Sequence, residues 1–380
     1  MKLAYIYDGF YPSTGADAWQ VLNTALALSR QGIQVTIFCA QALHERPLTT
    51  QEILEHYSLS GQIEIRQLQR SSLVPRFIHK WSHCREAMKH IKDEGFDLVY
   101  SRNILAIRQA LQAGIKAVYD TYRPWPKQYA FMRWQFQSLF KNPLLLGGFF
   151  HSALARQAYV DVGIEPSKLM VAHNGFHPES YQKAPPKSEA KTELGLPQDR
   201  LVIGYTGRLD IEKGILTLIE VAELAPDIHL LLAGGGKDQE VLDRAEALPN
   251  VTLLPWQKPS YVPTLLSACD VLMIPSSSIA LKTGNTVLPM KIFEYLACGR
   301  PIVAPRSPDT ADVLNHNENA WLVGTDNSPL LVEELRKLRD QPELCTRLAQ
   351  GAQERSDELT WDARGQKIKQ QIEQWMQIGN

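Results

Sequence analysis

The sequence lacks features that define whole classes of protein. Its five cysteines are odd in number and scattered, and no Cys-x-x-Cys pair occurs, which argues against zinc sites, redox motifs and disulfide frameworks. No stretch approaches the roughly 18 consecutive apolar residues that a membrane-spanning helix needs. The apolar run before Asp8 is too short for the core of a signal peptide. We therefore expect a cytoplasmic protein, attached at most to the cytoplasmic face of a membrane.

The chain also has almost no excess of charge. A formal net charge of -1 gives no reason to expect nucleic acid or another polyanion as partner. The two halves differ, however. Residues 1–180 hold 19 Lys and Arg against 14 Asp and Glu, which gives +5, and the remaining residues hold 21 against 27, which gives -6. The first half is therefore the basic one.

Two signatures of nucleotide sites are missing. No Asp-x-Asp occurs, which removes the usual way of holding Mg²⁺ on a nucleoside diphosphate. The stretch LAGGGKDQEVL places three consecutive glycines, Gly234 to Gly236, between a strand and a helix, but it is not G-x-G-x-x-G. A nicotinamide-dependent dehydrogenase is therefore only weakly supported. We expect no metal and no cofactor, so Arg, Lys and helix ends must neutralise any diphosphate.

Short apolar runs alternate with helical patterns along the whole chain, which is typical of βαβ units around parallel sheets. The first half predicts a helix over 18–30 and the second half restarts the alternation after a polar, proline-rich segment, 183–199, that predicts a linker. Strands are predicted at 3–8, 34–40, 63–68, 97–101, 117–122, 146–150, 168–173, 201–207, 229–235, 251–256, 271–276 and 301–305. The simplest account is two doubly wound domains that react substrates in the cleft between them.

One predicted helix is amphipathic and basic. Phe77, Trp81, Cys84, Met88 and Ile91 fall at spacings of three and four, while Lys and Arg occupy much of the rest. A helix that faces the core and solvates its basic side is favoured, and contact with a membrane surface stays open. The following stretch, WPKQYAFMRWQFQSLFKNP, adds aromatic and basic residues without acids.

The stretch YTGRLDIEKG carries the clearest anion signal. A strand ends at Gly207, Arg208 follows, and Lys213 precedes a helix. A guanidinium at a strand end and an ammonium near a helix start suit a diphosphate. The alternative is a surface ion pair of Arg208 with Asp210 or Glu212.

A second anion signal lies in TGNTVLPMKIFEYLACGRP. Asn285 or Thr286 can cap a helix whose first position is Pro289. Lys291 in its first turn is unfavourable unless an anion lies in front of it, because a helix N-terminus is already partly positive. Lys291 also shares a face with Glu294, so an ion pair in solvent is the alternative.

The order of these motifs resembles that of the retaining glycosyltransferases of family four, which have the GT-B fold. GR-x4-KG, LLLAGGG, NVTLLPW, SACDVLMIPS, FEYLACGRPIVAPR, WLV and a late TW occur in sequence, and HSALARQAYVDVGIEPSKLMVAHNGF ends the first half. The resemblance implies an N-terminal Rossmann-like acceptor domain over 1–182, the linker 183–199, and a nucleotide-sugar domain over 200–360. A C-terminal helix, 361–380, would cross back to the first domain.

The resemblance also implies the activity and the site. A hexose would pass from a nucleoside-diphosphate sugar, with UDP favoured, to a glycan, lipid or sugar-phosphate acceptor, without a metal. Catalysis would rest on Arg208, Lys213 and Glu294, with Glu294 on the nucleotide ribose. Donor contacts would come from Gly15 in the first βα loop, Gly207, Gly235, Gly284, Asn285, Thr286, Val287, Leu288, Lys291 and Glu294. The acceptor or sugar side would hold Tyr122, Arg123 and Asn174.

Two departures from the family pattern keep alternatives open. Thr286 stands where the family commonly has a glutamate that contacts the transferred sugar, and Tyr122 and Arg123 stand where many members have a histidine. A non-catalytic nucleotide-sugar protein and another GT-B reaction, such as epimerisation of a nucleotide sugar, are therefore the competing hypotheses. Contact of the basic first half with a membrane also stays open.

Overall fold

The computed structural model describes residues 1–41, 46–69, 76–275 and 288–378, without the side chains of residues 76, 77 and 378. By their internal contacts the residues form two compact units. Unit 1 comprises Met1–Gly175 with Trp361–Asn380, and unit 2 comprises Phe176–Thr360. Each unit is an α/β domain around a parallel sheet, as the alternating pattern predicts.

Unit 1 is built on seven strands. These are β1 (Lys2–Phe10), β2 (Gln34–Ala40), β3 (Glu64–Leu68), β4 (Leu98–Ser101), β5 (Lys116–Thr121), β6 (Leu145–Phe150) and β7 (Leu169–Val171). All neighbours pair in parallel in the order β3-β2-β1-β4-β5-β6-β7. The central strands are buried on both faces, which explains why they are apolar throughout rather than alternating.

Helices cover both faces of this sheet. They are α1 (Ala16–Arg30), α2 (Thr50–His56), α3 (Arg76–Asp93), α4 (Ile104–Gln112), α5 (Trp125–Gln128), α6 (Ala130–Phe140), α7 (Ala153–Val160) and, from the end of the chain, the helix Trp361–Ile378. The terminal helix packs on α1 in one core cluster, while α3, α4, α6 and α7 contribute to the other. At Gly365 an added Cβ would lie 2.7 Å from the carbonyl oxygen of Ala27, so the close approach of these two helices requires glycine.

The amphipathic helix α3 faces the core with part of its predicted apolar stripe. Cys84, Met88 and Ile91 are buried, as the core-facing interpretation predicts. Trp81 and Ile78 are exposed instead, near the N-terminal end of the helix. The side chain of Phe77 lies outside the described residues. None of the helices in the described ranges is long and apolar enough to cross a bilayer.

Unit 2 is built on six strands. These are β8 (Leu201–Thr206), β9 (Ile228–Ala233), β10 (Val251–Leu254), β11 (Val271–Met273), β12 (Ile302–Pro305) and β13 (Trp321–Val323). They pair in parallel in the order β10-β9-β8-β11-β12-β13. The order reverses direction between β8 and β11, and such a reversal leaves a crevice beyond the carboxyl ends of the strands. Strand β13, only three residues long, was not predicted.

The helices of unit 2 follow the same alternation. They are α8 (Pro178–Gln182), α9 (Lys187–Glu193), α10 (Ile215–Leu224), α11 (Gln239–Glu246), α12 (Val262–Ser267), α13 (Lys291–Cys298), α14 (Ser328–Asp340) and α15 (Pro342–Ser356). They contribute to two core clusters of this unit. The carboxyl ends of β8 and β9 and the start of α13 enclose the candidate site described below.

The segment 183–199 differs from the predicted linker. It contains α9, where Ala190 is buried and the Lys191 Nζ lies 2.8 Å from Oδ2 of Asp270. The same carboxylate accepts a hydrogen bond from the Val202 amide at 2.9 Å. The segment that was predicted as a linker therefore contains a helix anchored in unit 2, and the two units meet in sequence at Gly175 and Phe176.

Candidate functional site

The loops that follow β8 and β9 form the floor of the candidate site in unit 2. The amide of Gly207 donates to the carbonyl of Ala233 at 2.8 Å, and the amide of Leu209 donates to that of Gly235 at 3.0 Å. Gly207 and Gly234 have φ values of 131° and 152°, and a Cβ on Gly234 would collide with the carbonyl oxygen of Gly207. Glycine is therefore required where the two strand ends converge.

Arg208 lies directly on this floor, at the end of β8. Its side chain is 62% exposed, and Nη1 lies 3.1 Å from Oδ2 of Asp210, so the predicted alternative of an Arg208–Asp210 ion pair is present. Asp210 itself is buried and also accepts a hydrogen bond from the Lys237 amide at 3.2 Å. A buried carboxylate thus orients one edge of the guanidinium, while most of the group remains accessible.

Two lysines lie near Arg208. Lys213 ends a single turn of 3-10 helix, and Gly214, in the left-handed conformation with φ 76°, leads from it into α10. Lys291 opens α13. Burial first, and then the charges of Lys213 and Arg208, hold the pKa of Lys291 well below its ordinary value. Three basic side chains therefore lie in one region of unit 2, where a diphosphate would add compensating negative charge.

Lys291 does not form the ion pair with Glu294 that was the alternative. Both residues are described, and the Lys291 Nζ lies over the ring of Tyr205, 3.4 Å from its centroid. A Cβ on Gly207 would come within 2.8 Å of the same Nζ. Cation–π contact with Tyr205 and the missing side chain at Gly207 thus fix the ammonium at the strand end.

Glu294 lies one helical turn beyond Lys291 and is half-buried. Burial raises the pKa of Glu294 to about 7, although the charge of Lys291 opposes this rise. Tyr181 of α8 lies close enough for the Glu294 carboxylate to act on its hydroxyl electrostatically. A carboxylate kept near its titration point in a half-enclosed place gains from any ligand that donates hydrogen bonds to it.

The start of α13 differs from the sequence prediction. Pro289 was expected at the first helical position with Asn285 or Thr286 as cap, but the helix begins at Lys291 and its capping residue is Met290. The Met290 side chain makes no capping hydrogen bond to the first turn. The chain already turns at Pro289, because the amide of Ile292 donates to the Pro289 carbonyl at 3.2 Å before the regular helix begins.

The loop before α13 holds several predicted donor contacts. Gly284, Asn285, Thr286 and Val287 lie outside the described residues, so their part in the site stays a prediction. Leu288 is described, and its side chain is buried in the core of unit 2. Only the backbone of Leu288 therefore remains for contact with a ligand.

Two tyrosines of this site were missed by sequence reasoning. The hydroxyl of Tyr205 donates to the carbonyl of Arg208 at 2.9 Å, and the hydroxyl of Tyr295 accepts from the amide of Thr206 at 3.0 Å. Both bonds fix the backbone where β8 ends. In the sequence, Tyr205 and Tyr295 resemble ordinary core residues of a strand and a helix. Only their hydroxyl groups could have indicated a polar role.

In unit 1, Gly15 is the residue before α1. Its amide donates to Oγ of Ser13 at 3.1 Å, and a Cβ there would lie 2.5 Å from Oδ1 of Asp17. The Gly15 amide is therefore already used, contrary to the expectation that it is presented to a phosphate. Backbone amides of the following helical turn remain for that purpose.

The carboxyl edge of the unit 1 sheet holds a buried polar cluster. Asp120, on β5, accepts hydrogen bonds from Tyr100 Oη at 2.8 Å and from Arg364 Nη2 at 3.0 Å, and its Oδ1 lies 2.6 Å from Nε2 of His151. Although burial opposes it, His151 and Arg364 hold the pKa of Asp120 below its usual range. Burial lowers the pKa of His151 below its ordinary value, although the neighbouring Asp120 carboxylate opposes this.

The predicted acceptor-side residues lie around this cluster. The ring of Tyr122 is 6.1 Å from that of His151, and Nδ2 of Asn174 lies 3.4 Å from Nδ1 of the same histidine. Arg123 follows Tyr122 directly and donates from Nε to its hydroxyl at 3.0 Å. Sequence reasoning missed Asp120, His151 and Arg364, although an acid and a histidine that each end an apolar strand were a usable signal.

Comparison with known proteins agrees with this description. The model of the Glycosyltransferase Family 4 matches residues 18–180, and that of the Glycosyl transferases group 1 matches residues 186–355. The lipopolysaccharide core biosynthesis glycosyltransferase LpsD of Rhizobium meliloti is 32% identical over 175 residues, which are 45% of this chain and 48% of LpsD. The D-inositol 3-phosphate glycosyltransferase of Stackebrandtia nassauensis is 25% identical over 378 residues, with 90% of this chain and 82% of the relative covered.

A solved structure shows the same fold over the whole chain. Anabaena HepE in complex with UDP-glucose superimposes with a TM-score of 0.76 and 17% identity, covering 98% of this chain and all of HepE. The match to LpsD spans about half the length of that relative. Because the two family models match consecutive halves of the chain, it belongs to the family 4, group 1 glycosyltransferases, and its two parallel-sheet units have the GT-B fold.

Proposed function

We propose that the protein is a retaining hexosyltransferase that takes its sugar from a nucleoside-diphosphate sugar and needs no metal. The observation that carries this proposal is the cluster of Arg208, Lys213 and Lys291 at the carboxyl end of β8, whose mutual repulsion contributes to the lowered pKa of Lys291. A diphosphate neutralises such a cluster directly, so no divalent ion is required. UDP is the favoured nucleotide, which the complex of HepE with UDP-glucose supports.

The donor residues take the following roles. Arg208 and Lys213 hold the diphosphate and stabilise the negative charge of the leaving nucleotide, and Lys291, at the start of α13, adds positive charge. Glu294, when ionised, accepts hydrogen bonds from the ribose hydroxyls. Gly207 and Gly235 let backbone approach the ligand, and the backbone of Leu288 adds a further donor contact.

The reaction replaces one bond at the anomeric carbon. The bond from this carbon to the β-phosphate oxygen breaks, and its electron pair leaves with the nucleoside diphosphate. A hydroxyl oxygen of the acceptor bonds to the same carbon from the same face, and its proton passes to the leaving phosphate oxygen. Positioning and stabilisation of the leaving group then supply most of the barrier lowering.

The acceptor lies on the side of unit 1 where Tyr122, Arg123 and Asn174 are found. Glycans, lipids and sugar phosphates remain the candidate classes. The names of LpsD and of the inositol phosphate glycosyltransferase favour a carbohydrate-biosynthetic role with a phosphorylated or lipid-linked acceptor.

A second surface of unit 1 suggests where such acceptors are met. Helices α3 and α6 flank α4, since Gln109 bonds to the Trp81 carbonyl and Arg108 bonds to Gln135. Exposed apolar side chains and cations share this aromatic–basic face: Ile78, Trp81, Tyr129, Phe131 and Trp134 with Lys80, Arg85, Lys127 and Arg133. Trp134 is 73% exposed and Phe131 65%. Its charge and aromatic content suit the anionic lipids of the cytoplasmic membrane face.

The donor proposal is tested by UDP titration calorimetry and by mass spectrometry of UDP-glucose turnover in water. Arg208→Ala and Lys213→Ala should each weaken UDP binding at least tenfold and lower UDP release about 100-fold, equivalent to about 2.7 kcal/mol of barrier. Arg244→Ala is the matched control, because Arg244 forms an exposed ion pair with Glu223 in the same unit.

Three outcomes would contradict the proposal in different ways. Unchanged UDP affinity in both variants would remove the donor site. UDP binding without release or transfer, over a broad acceptor panel, would favour a non-catalytic nucleotide-sugar protein. An isomerised UDP-sugar that keeps its nucleotide would indicate an epimerase.

A further inference from the structure

Two arginines follow neighbouring strands of unit 1 and lie on one tyrosine. Arg102 comes directly after β4, and Arg123 comes two residues after β5, which pairs with β4 in parallel. The Cζ atom of Arg102 is 4.8 Å from the ring centroid of Tyr122, and that of Arg123 is 5.2 Å from the same centroid. One ring at the carboxyl edge of the sheet thus holds two guanidinium groups within reach of a single ligand.

Contact with a ring leaves the hydrogen-bonding capacity of a guanidinium largely unused. A guanidinium has about five N–H donors, all in its plane, whereas cation–π contact uses its charge rather than these donors. Arg102 donates from Nη1 to Oε1 of Gln20 at 3.1 Å, and Arg123 donates from Nε to the Tyr122 hydroxyl at 3.0 Å. Within the described part of the chain these are the only side-chain hydrogen bonds that the two guanidiniums donate.

A third arginine nearby shows what a purely structural role looks like. Arg364 is buried, bonds to Asp120 and Thr24, and donates to the carbonyl groups of Ala172 and His173. All three of its nitrogens therefore have protein acceptors. Arg102 and Arg123 are half-buried and keep most of their donors.

The charges of the two arginines are also left without a close carboxylate. Neither forms an ion pair with any residue that the structure describes. The charge of Asp120 acts on Arg102, but the oxygens of this carboxylate are occupied by Arg364, His151 and Tyr100. Asp17 acts on Arg102 only electrostatically, and its Oδ2 accepts from Tyr7 at 2.9 Å. Among the described residues, this edge therefore carries two guanidiniums without an ion-pair partner.

We propose that Arg102 and Arg123, held on Tyr122, form an oxyanion subsite that binds a phosphate or carboxylate group of the acceptor. This inference rests on the proposed function, which it deepens by giving the acceptor a negative charge. Two guanidinium forks on one ring offer paired N–H donors to an oxyanion, and Arg suits such bidentate recognition better than Lys. Tyr122 and Arg123 then serve acceptor binding, where the family pattern usually has a histidine.

The test measures binding of glycerol 1-phosphate to the full chain saturated with UDP. UDP first fills the donor site, so that the probe cannot occupy Arg208 and Lys213. Calorimetry should show that Arg102→Gln and Arg123→Gln each weaken binding of glycerol 1-phosphate at least tenfold, equivalent to about 1.4 kcal/mol, while UDP affinity stays unchanged. Arg108→Gln is the matched control, since Arg108 is half-buried in the same unit and bonds only to Gln135.

Two results would overturn the subsite. Folded Arg102→Gln and Arg123→Gln proteins that bind the probe like the wild type would show that it binds elsewhere. An equal loss in Arg108→Gln would show general attraction to a basic surface. If Arg102→Gln does not fold, the Arg123→Gln and Arg123→Lys variants test the subsite instead. The lysine variant should then recover only part of the affinity for glycerol 1-phosphate. Failure of UDP itself to bind would instead count against the proposed donor site.

A second arm identifies the source of the oxyanion. Sedimentation with phosphatidylglycerol vesicles is compared for the wild type and both glutamine variants. Variants that lose glycerol 1-phosphate but still bind vesicles indicate a free phosphorylated acceptor. Variants that lose both indicate that a lipid headgroup enters the subsite, and variants that lose neither contradict it.

Discussion

Replacing Glu294 by glutamine should stabilise the ligand-free protein at neutral and alkaline pH while it weakens nucleotide binding. The carboxyl group is half-buried on α13, and burial raises its pKa from the ordinary 4.5 to about 7. An ionised carboxylate is therefore less favourable in the folded protein than in the unfolded chain. Glutamine keeps the size of the side chain and removes this cost, but it also removes the anionic acceptor proposed for the ribose hydroxyls.

The pH dependence follows from the two pKa values. Below about pH 4.5 the carboxyl is neutral in both states, so wild type and Glu294→Gln should be similarly stable. Between 4.5 and 7 the unfolded chain releases the proton while the folded protein retains it, so the wild type loses stability as pH rises. Above 7 the deficit is constant. A rise from 4.5 to about 7 corresponds to about 3 kcal/mol at most, since solvent screens a half-buried group.

Thermal unfolding between pH 5.0 and 8.5 measures this effect. For an unfolding unit of this size, about 3 kcal/mol corresponds to a rise in Tm of roughly 6–12 °C at pH 8. The rise should shrink steadily toward pH 5. Glu246→Gln, at an exposed position on α11, is the control and should leave Tm nearly unchanged. A Glu294→Gln protein no more stable than the wild type at pH 8, or a difference independent of pH, would refute the reasoning.

Two further predictions concern the floor of the donor site and the aromatic–basic face. Gly207→Ala should weaken UDP binding about tenfold in calorimetry, because a Cβ would meet Lys291 Nζ at 2.8 Å. The control Gly195→Ala, at φ 65° with open space around it, should lower only the stability of the protein. Phe131→Ser with Trp134→Ser should reduce sedimentation with phosphatidylglycerol vesicles several-fold, whereas Leu224→Ser, an exposed leucine of unit 2, should not.

The fold was predictable because its signals are local and repeated. Every strand predicted from an apolar run is present, with ends displaced by at most three residues, since strands buried on both faces must be apolar throughout. The error at 183–199 has a physical cause. Proline and polar residues are equally common in linkers and at the start of short surface helices, and only the pairing of Lys191 with Asp270, distant in sequence, distinguishes them.

The charged residues of the candidate site in unit 2 could be predicted from the sequence, but the residues that position them could not. Arg208, Lys213 and Lys291 lie after a strand or near the start of a helix. In a parallel sheet such positions come together at the carboxyl edge. Tyr205 carries no comparable signal, because its role depends on the 3.4 Å contact with an ammonium 86 positions later in the sequence. The cluster of Asp120, His151 and Arg364 likewise joins three distant segments, and pattern reasoning does not pair residues across such separations.

The unfavourable position of Lys291 at the start of α13 has a physical interpretation. Lys291 lies at the start of α13, and burial together with the charges of Lys213 and Arg208 lowers its pKa. The protein tolerates the arrangement through the ring of Tyr205 and the carboxylate one turn deeper. A diphosphate would relieve the repulsion that the ligand-free site carries, so part of the binding energy comes from strain already present in the folded protein. A neutral ligand of the same shape would gain nothing from that repulsion, so the proposed donor site would select by charge before it selects by sugar.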